Sequence, residues 1–500
     1  MPRPNLLSLF DDFSRFPRDV AVVQQHGYRR EAITYAKLSA LAHFCAQELQ
    51  QRGIRANDRV LLWGPNSAEW VAAFWGCLLR GAVVVPLDDS SPQEFVARVA
   101  AEASVKFAFA SRTKPAFSPA IPTLFLEDIL GSAGGDAAVH SRRAGNHSAP
   151  GGGAQEPITR EHVAQILFTS GTTSEPRGVV LTHGNFLSNI EPLEKGIAAY
   201  RKYERWLHPL RFVSLVPLSH VFGQFMTLFV PPLLGAAVVF ESSVQPREII
   251  RTVKRERATA VIAVPRMLDS FRAGLLRDLE ARGESAWFEK AFAAAKNQKF
   301  LSRVRIFRRI HSRLGWKFWA FISGGAALSA ETEDFFRRIG YAVVQGYGMT
   351  ETASLISLNH PFRAAEGSIG QILPGREFRL AEDGEILVRG ETVSSGYFEK
   401  GAFQPRPAEN GGWLRTGDLG ELDPGGNLRF RGRKKSVIVT PAGLNIYPED
   451  LEAVLRCQPA IRDAVVIPLE IAANAEPCAV LLLAPVAPGL SPAFSPRLIT

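Results

Sequence analysis

The densest group of chemically useful side chains lies in residues 162–185, HVAQILFTSGTTSEPRGVVLTHGN. Ile166, Leu167 and Phe168 read as a buried strand that empties into a turn of hydroxyls and glycines, Thr169, Ser170, Gly171, Thr172, Thr173 and Ser174, closed by Pro176, Arg177 and Gly178. Glycine lets backbone N–H groups approach an anion, hydroxyls donate hydrogen bonds, and Arg177 supplies positive charge, so the loop suits a polyphosphate. It is not a Walker loop. That spacing asks for Gly-Lys-Ser/Thr where this chain has Pro176-Arg177-Gly178, and Gly178 to Leu181 reads as a second strand where a Walker loop opens a helix. Taken alone, the same residues also describe a Ser/Thr-rich surface turn.

Four further stretches repeat the design of a strand ending in an accessible turn. Ser323-Gly324-Gly325-Ala326-Ala327-Leu328 follows the apolar run Phe318 to Ile322, and its small residues would admit a flat base. In Gln345-Gly346-Tyr347-Gly348-Met349-Thr350-Glu351-Thr352, Tyr347 offers a stacking face and Glu351 a carboxylate for a magnesium ion. Trp413 to Leu419 places Asp418 after a glycine turn, where a carboxylate can accept both hydroxyls of a ribose. Phe430-Arg431-Gly432-Arg433-Lys434-Lys435 is a cationic strand exit. Each alone is equally a tight turn, a solvated acid or a basic hairpin edge; their order along one chain argues for a shared task.

The elements that must hold these turns are strands and helices in alternation. Thr34 opens a helix through Leu49, Val60–Trp63 is a strand, Ala68–Arg80 a helix and Ala82–Pro86 a strand, which predicts an α/β architecture with parallel strands. Phe212 to Pro217 and Ala260 to Val264 extend the plan. Residues 131–157, rich in glycine, serine and alanine, read as a flexible surface loop. Five hundred residues call for more than one domain or subdomain. A composition 46% hydrophobic and 21% charged is that of a globular protein. Cys45, Cys77, Cys457 and Cys478 show no CxxC pair, so neither a zinc site nor a disulfide framework is expected and a reducing cytoplasm is the simplest setting. The N-terminus meets acidic residues before any sustained apolar run, unlike a secretory signal. Residues 212–240 lack Lys, Arg, Asp and Glu but are interrupted by prolines, His220 and Gly235, and read as buried strand, helix and strand in preference to a membrane span.

The net charge of +9 favours anionic partners without choosing among them. Much of it gathers in 296–317, where Lys296, Lys299, Arg303, Arg305, Arg308, Arg309, Arg313 and Lys317 flank Phe300, Val304, Phe307, Ile310 and Leu314 at helical spacing. That pattern fits a surface helix with solvated cations, or a peripheral contact with an anionic membrane surface. No nucleic-acid motif accompanies it, and no nucleic acid is expected.

Taken together, TSGTTSEPRG, QGYGMTET, WLRTGD and GRKK resemble the adenylate-forming superfamily of acyl-CoA synthetases, luciferases and peptide-synthetase adenylation domains, over nearly the whole chain. The resemblance implies a large N-terminal domain of α/β subdomains, residues 1–431, and a small mobile α+β C-terminal domain from 432 to 500. It assigns Thr169 to Thr173 and Arg177 to the phosphates of ATP, Gly325, Ala326 and Tyr347, within the run Gln345 to Gly348, to adenine, and Thr350 with Glu351 to phosphate and magnesium. Asp418 and Arg433 would hold the ribose, Lys435 would be the hinge, Gly443 would border the pantetheine channel of coenzyme A, and His220 in PLSHVFG would lie beside the carboxylate substrate. Residues 266–328 and VTPAGLNIYPEDLE look most like long-chain fatty acyl-CoA synthetases, implying a fatty acid, ATP and coenzyme A as substrates, with a carrier protein as the alternative acceptor. The chain departs from the family pattern at Ser174 and Arg177, where glycine and lysine are commoner. It also has no lysine after Lys435, where the family carries one that bridges carboxylate and phosphate. The small domain is therefore expected to be incomplete and adenylation impaired, which leaves a non-catalytic nucleotide or acyl binder as the rival reading. The expected location is cytoplasmic, or peripheral at the inner face of the membrane.

Overall fold

The computed structural model describes residues 2–27, 29–117, 120–132, 157–169, 176–198, 208–361, 363–407, 409–439, 445–456, 458, 460–471 and 474–483. The candidate residues Ser170, Gly171, Thr172, Thr173 and Gly443, and nearly all of the glycine-rich stretch, lie outside them. The chain divides into two compact units, Met1–Glu377 with Val388–Leu414, and Phe378–Leu387 with Arg415–Thr500.

In chain order the strands of the larger unit are β1 (Val20–His26), β2 (Arg29–Thr34), β3 (Arg59–Trp63), β4 (Val83–Leu87), β5 (Phe107–Ala110), β6 (Thr123–Phe125), β7 (Val163–Thr169), β8 (Arg177–Thr182), β9 (Arg211–Ser214), β10 (Ala237–Phe240), β11 (Ala260–Ala263), β12 (Ala320–Ser323), β13 (Ala342–Tyr347), β14 (Ser357–Leu358), β15 (Gly370–Ile372), β16 (Gly396–Glu399) and β17 (Ala402–Pro405). They form two sheets. In one, β1, β10, β9, β11, β12 and β13 run parallel side by side, with β2 antiparallel beyond β1 and β14 and β15 beyond β13. In the other, β7, β4, β3, β5 and β6 are parallel, while β8, β16 and β17 continue antiparallel from β7. The expected parallel plan thus holds for neighbouring strands joined by long crossovers. It breaks where a short connection, such as 170–175, returns the chain at once.

Local chemistry sets the helix ends. The Thr34 hydroxyl accepts from the Lys37 N–H and opens the helix Tyr35–Gln51. Ser67 does the same for Ala68–Arg80, which ends on Gly81 at φ 71°. That second helix is buried on every side from Ala68 to Leu78. Trp70, Phe74 and Trp75 join Phe10, Phe13 and Phe229 in a single aromatic core. The charge-free stretch 212–240 is strand, helix and strand, with a π-helical turn at Phe225–Phe229 between the short helices Val221–Gln224 and Val230–Leu234. Among the described residues no helix is long and apolar enough to cross a membrane.

The basic segment corrects the expectation of one continuous helix. It forms two, Phe300–Ile306 and Arg308–Leu314, broken at Phe307. Phe307, Ile310 and Leu314 are buried as the spacing predicts, whereas Leu301 is 78% exposed and Phe300 lies at the surface. Arg303 spends its guanidinium on the carbonyls of Ala295, Lys296 and Arg337, and Arg313 on Asp278 and Glu284. Only part of the cationic stripe is therefore solvated.

The smaller unit contains a meander of β18 (Leu414–Leu422) and β19 (Asn427–Arg433) with the strands Glu377–Leu380 and Glu385–Arg389. The helix Pro448–Arg456 and a hairpin of Ile461–Ile471 with Asn474–Leu483 follow.

Candidate nucleotide site

Three of the sequence motifs, those around 323–328, 345–352 and PLSHVFG, leave the C-terminal ends of strands in the larger unit. Parallel register sets Ser323 of β12 beside Gln345 of β13, so the turns 324–328 and 348–351 start from neighbouring positions. Ser214 of β9 pairs with Ile262 of β11, and the segment to His220 leaves the same edge. Side chains at the carboxyl ends of parallel strands are the usual place for a ligand in an open α/β sheet, because the loops there are free to vary while the strands fix their origins.

Glycine is required where two of these segments meet. A Cβ on Gly324 would come within 2.8 Å of the Phe222 ring, so the SGGAA turn and the PLSHVFG segment approach as closely as they do only without a side chain. Gly325 follows at φ +86°, a conformation side chains resist. Gln345 is buried, and Gly346, Tyr347, Gly348 and Thr350 are half-buried along the strand exit.

The phosphate-type loop is closed by a cross-strand pair, Thr169 opposite Arg177. The Arg177 guanidinium lies 3.5 Å from the centroid of the Tyr397 ring and also ion-pairs with Glu399. The Tyr397 hydroxyl in turn donates to Glu351 Oε1 at 3.3 Å. Burial, and then the Glu351 charge, pushes the Tyr397 phenol up to about 12, so it remains a donor throughout the neutral range. Two residues assigned to one nucleotide from separate motifs, Arg177 and Glu351, are thereby joined through a third. Neither Tyr397 nor Glu399 was singled out from sequence. The available signal was the strand pattern Gly396-Tyr397-Phe398-Glu399, which puts 397 and 399 on one face. Thr350–Thr352 is a single 3-10 turn, and Ser394 N–H holds the Glu351 carbonyl at 2.7 Å, fixing that acid from its backbone.

His220 is 65% exposed at the start of the helix Val221–Gln224, with Nε2 3.7 Å from Asp88 Oδ2. It is not a core histidine. Asp88, at the exit of β4, also accepts from the Ser219 hydroxyl at 3.0 Å. Burial would raise the Asp88 carboxyl, but hydrogen bonds from Ser90 and Ser219 and the nearby His220 outweigh it and hold the group below its ordinary value. Sequence reading missed Asp88.

In the smaller unit Asp418 and Arg433 are cross-strand partners, with Arg433 Nε 3.3 Å from a buried Asp418 carboxylate. Lys434 Nζ reaches Asp383 at 2.5 Å and Glu385 at 3.0 Å, and Arg415 also pairs with Glu385. Lys435, next in the short turn Lys434–Ser436, is exposed.

Among the described residues no cluster of three or more His, Cys, Asp or Glu could hold a metal ion by protein alone. Glu351, a single half-buried carboxylate joined through Tyr397 to Arg177, fits magnesium held mainly by substrate phosphates, which is the ion's usual arrangement.

Parallel strands with the turns 324–328 and 348–351 and the exit toward His220 at their carboxyl ends define an α/β protein with its ligand-type loops on one edge. The particular family follows from comparison: the chain matches the AMP-binding enzyme family over residues 9–398 and belongs to it. It is similar to the long-chain-fatty-acid–CoA ligase FadD15 of Mycobacterium bovis, 29% identical over 463 residues, covering 87% of this chain and 75% of that one. It is likewise similar to human long-chain-fatty-acid–CoA ligase 1, 26% identical over 86% of this chain and 66% of that one. Among solved structures, O-succinylbenzoate coenzyme A synthetase of Bacillus subtilis in complex with ATP and magnesium ion superposes with a TM-score of 0.72 at 24% identity, over 98% of this chain and 92% of that one.

Proposed function

We propose that the chain is an acid–thiol ligase that activates a fatty carboxylic acid with ATP and transfers the acyl group to coenzyme A. The observation that carries this is the convergence of Arg177 and Glu351 on Tyr397 at the rim of the parallel strands. Membership of the AMP-binding family and relatives named for long-chain fatty acids support the substrate class.

In this reading the carboxylate attacks the α-phosphate, releasing pyrophosphate and leaving acyl-adenylate, and the coenzyme A thiol then displaces AMP. The substrate supplies the nucleophile, so the protein's work is alignment and charge stabilisation. Arg177 faces the phosphates, Thr169 closes the loop, and the small residues 324–326 with Tyr347 receive the base. His220, steadied by Asp88, orients the carboxylate. Asp418 accepts the ribose hydroxyls and Arg433 lies across the strand from it. Magnesium, held by Glu351 and the phosphates, would neutralise charge on the transferring group. The moving small domain is taken to begin at 432, with Lys435 as its hinge.

A peripheral contact with anionic membrane is proposed for 296–317. Leu301 and Trp316, 78% and 76% exposed, belong to the same segment as the exposed cations Lys296, Lys299, Arg305 and Arg308. Apolar tips among cations suit a headgroup layer.

The test is magnesium- and acid-dependent pyrophosphate release by the full chain over a series of acid lengths, with Asp418→Ala as control and coenzyme A or a carrier protein offered as acceptor. Acid-dependent release that is lost in the control is expected, and thioester on coenzyme A names the acceptor. ATP binding without release would mean a nucleotide binder in place of a ligase.

A further inference from the structure

Strand β16 does more than fill the sheet beside the phosphate loop. Its register against β8 puts Gly396 opposite Val180, Tyr397 opposite Val179 and Phe398 opposite Gly178. One step further brings Glu399 level with Arg177, and residues directly opposite in an antiparallel pair share a face. Tyr397 and Glu399 share it too. The Arg177 cation is therefore held twice from one strand, by the Tyr397 ring at 3.5 Å and by the Glu399 carboxylate. The side chain is still half-exposed, so it can exchange one anion for another.

We infer that Glu399 is a resident anion for Arg177 that the nucleotide's phosphates must displace, with the Tyr397 ring as the pivot about which the guanidinium turns. This rests on the ATP site proposed above and adds to it a residue that sets affinity without touching the substrate. A carboxylate carries one charge and is partly exposed, so solvent and salt screen the pair. A polyphosphate carries several charges and so attracts the guanidinium more strongly than one carboxylate does. Exchange therefore favours the nucleotide, while a weakly charged anion gains little by displacing Glu399.

The arrangement makes a prediction opposite to that for an ordinary site residue: removing Glu399 tightens binding. Equilibrium binding of magnesium-ATP to the full chain, without acid or coenzyme A, is measured for the wild type, Glu399→Gln, Arg177→Met and the double variant. Glu399→Gln should bind about two- to fivefold more tightly, the range set by an exposed pair, and the gain should vanish in the Arg177→Met background. Unchanged or weaker binding in Glu399→Gln overturns the inference. So does an equal gain in both backgrounds, since that is a general field effect of losing an acid. Melting temperatures of the same four proteins without ligand separate the inference from the site it rests on. Non-additive shifts are expected from a formed pair, whereas additive shifts sink the resident-anion idea even if ATP binds. A wild type that binds no magnesium-ATP removes the ATP site, and with it the displacement, whatever the melting data show about the pair.

Discussion

A guanidinium stacked on an aromatic ring keeps its charge while losing part of its freedom, and Arg177 is in that state before any nucleotide arrives. Removing a charge contact made to a transferring phosphate costs roughly 3 kcal/mol. Arg177→Ala should therefore lower kcat/KM for pyrophosphate release about a hundredfold, with Arg177→Lys recovering part of it, measured at saturating acid. A second residue has a signature in stability. His183 is buried at the start of the helix His183–Ala198, its Nδ1 accepting from the Leu6 N–H. Burial, and then the nearby His162, lowers it from 6.5 to about 4. Its folded-state value lies below its unfolded one, so the unfolded chain binds the extra proton between them. The contribution is full above 6.5 and is lost as pH falls toward 4. That loss is on the order of 3 kcal/mol. Denaturant titrations from pH 7 to 4 should show it, and His183→Gln, which retains an acceptor, should flatten the slope. An unchanged slope would assign the acid limb to other groups.

At the scale of elements, the close approach of the SGGAA turn to PLSHVFG depends on absent atoms. Gly324→Ala would place a methyl 2.8 Å from the Phe222 ring. The ring or the turn must shift, at a cost of about 1–3 kcal/mol, and Phe222→Leu in the same chain should restore most of it; chemical denaturation of the three variants measures both. Within the basic segment the cations divide by role, some bound to protein groups and some exposed. Arg303 bonds three carbonyls, so Arg303→Gln should cost about 1–3 kcal/mol of stability and leave lipid binding alone. Strands β7, β9 and β11 were legible from their apolar runs because they are buried on both faces. The break at Phe307 was not, since Phe300 to Leu314 keeps one helical period and only packing ends the first helix at Ile306. The chemistry of β16 was equally hidden. GYFE carries no motif, and its meaning comes from lying against β8, more than two hundred residues earlier in the chain.

For the whole molecule, the net charge of +9 predicts an association with anionic surfaces that salt weakens. Sedimentation with vesicles containing anionic phospholipid should retain the full chain. Replacing the exposed Lys296 and Lys299 by Gln should weaken retention by about 2 kcal/mol, near one per cation. Equal binding to neutral vesicles would reduce the segment to a solvated surface. The sequence by itself determined the family and the order of the motifs, and it nominated the residues proposed for phosphate, base, ribose and magnesium, because each motif is local: a strand, a turn and a side chain within about ten residues. Only the tertiary structure decided which of those residues meet. It joined Arg177 to Glu351 through Tyr397, gave Glu399 to Arg177, set Asp88 beside His220 and pulled Arg303 and Arg313 out of the cationic surface. Such contacts depend on sheet order and register, which unite segments far apart in the chain and leave no period in the sequence to read.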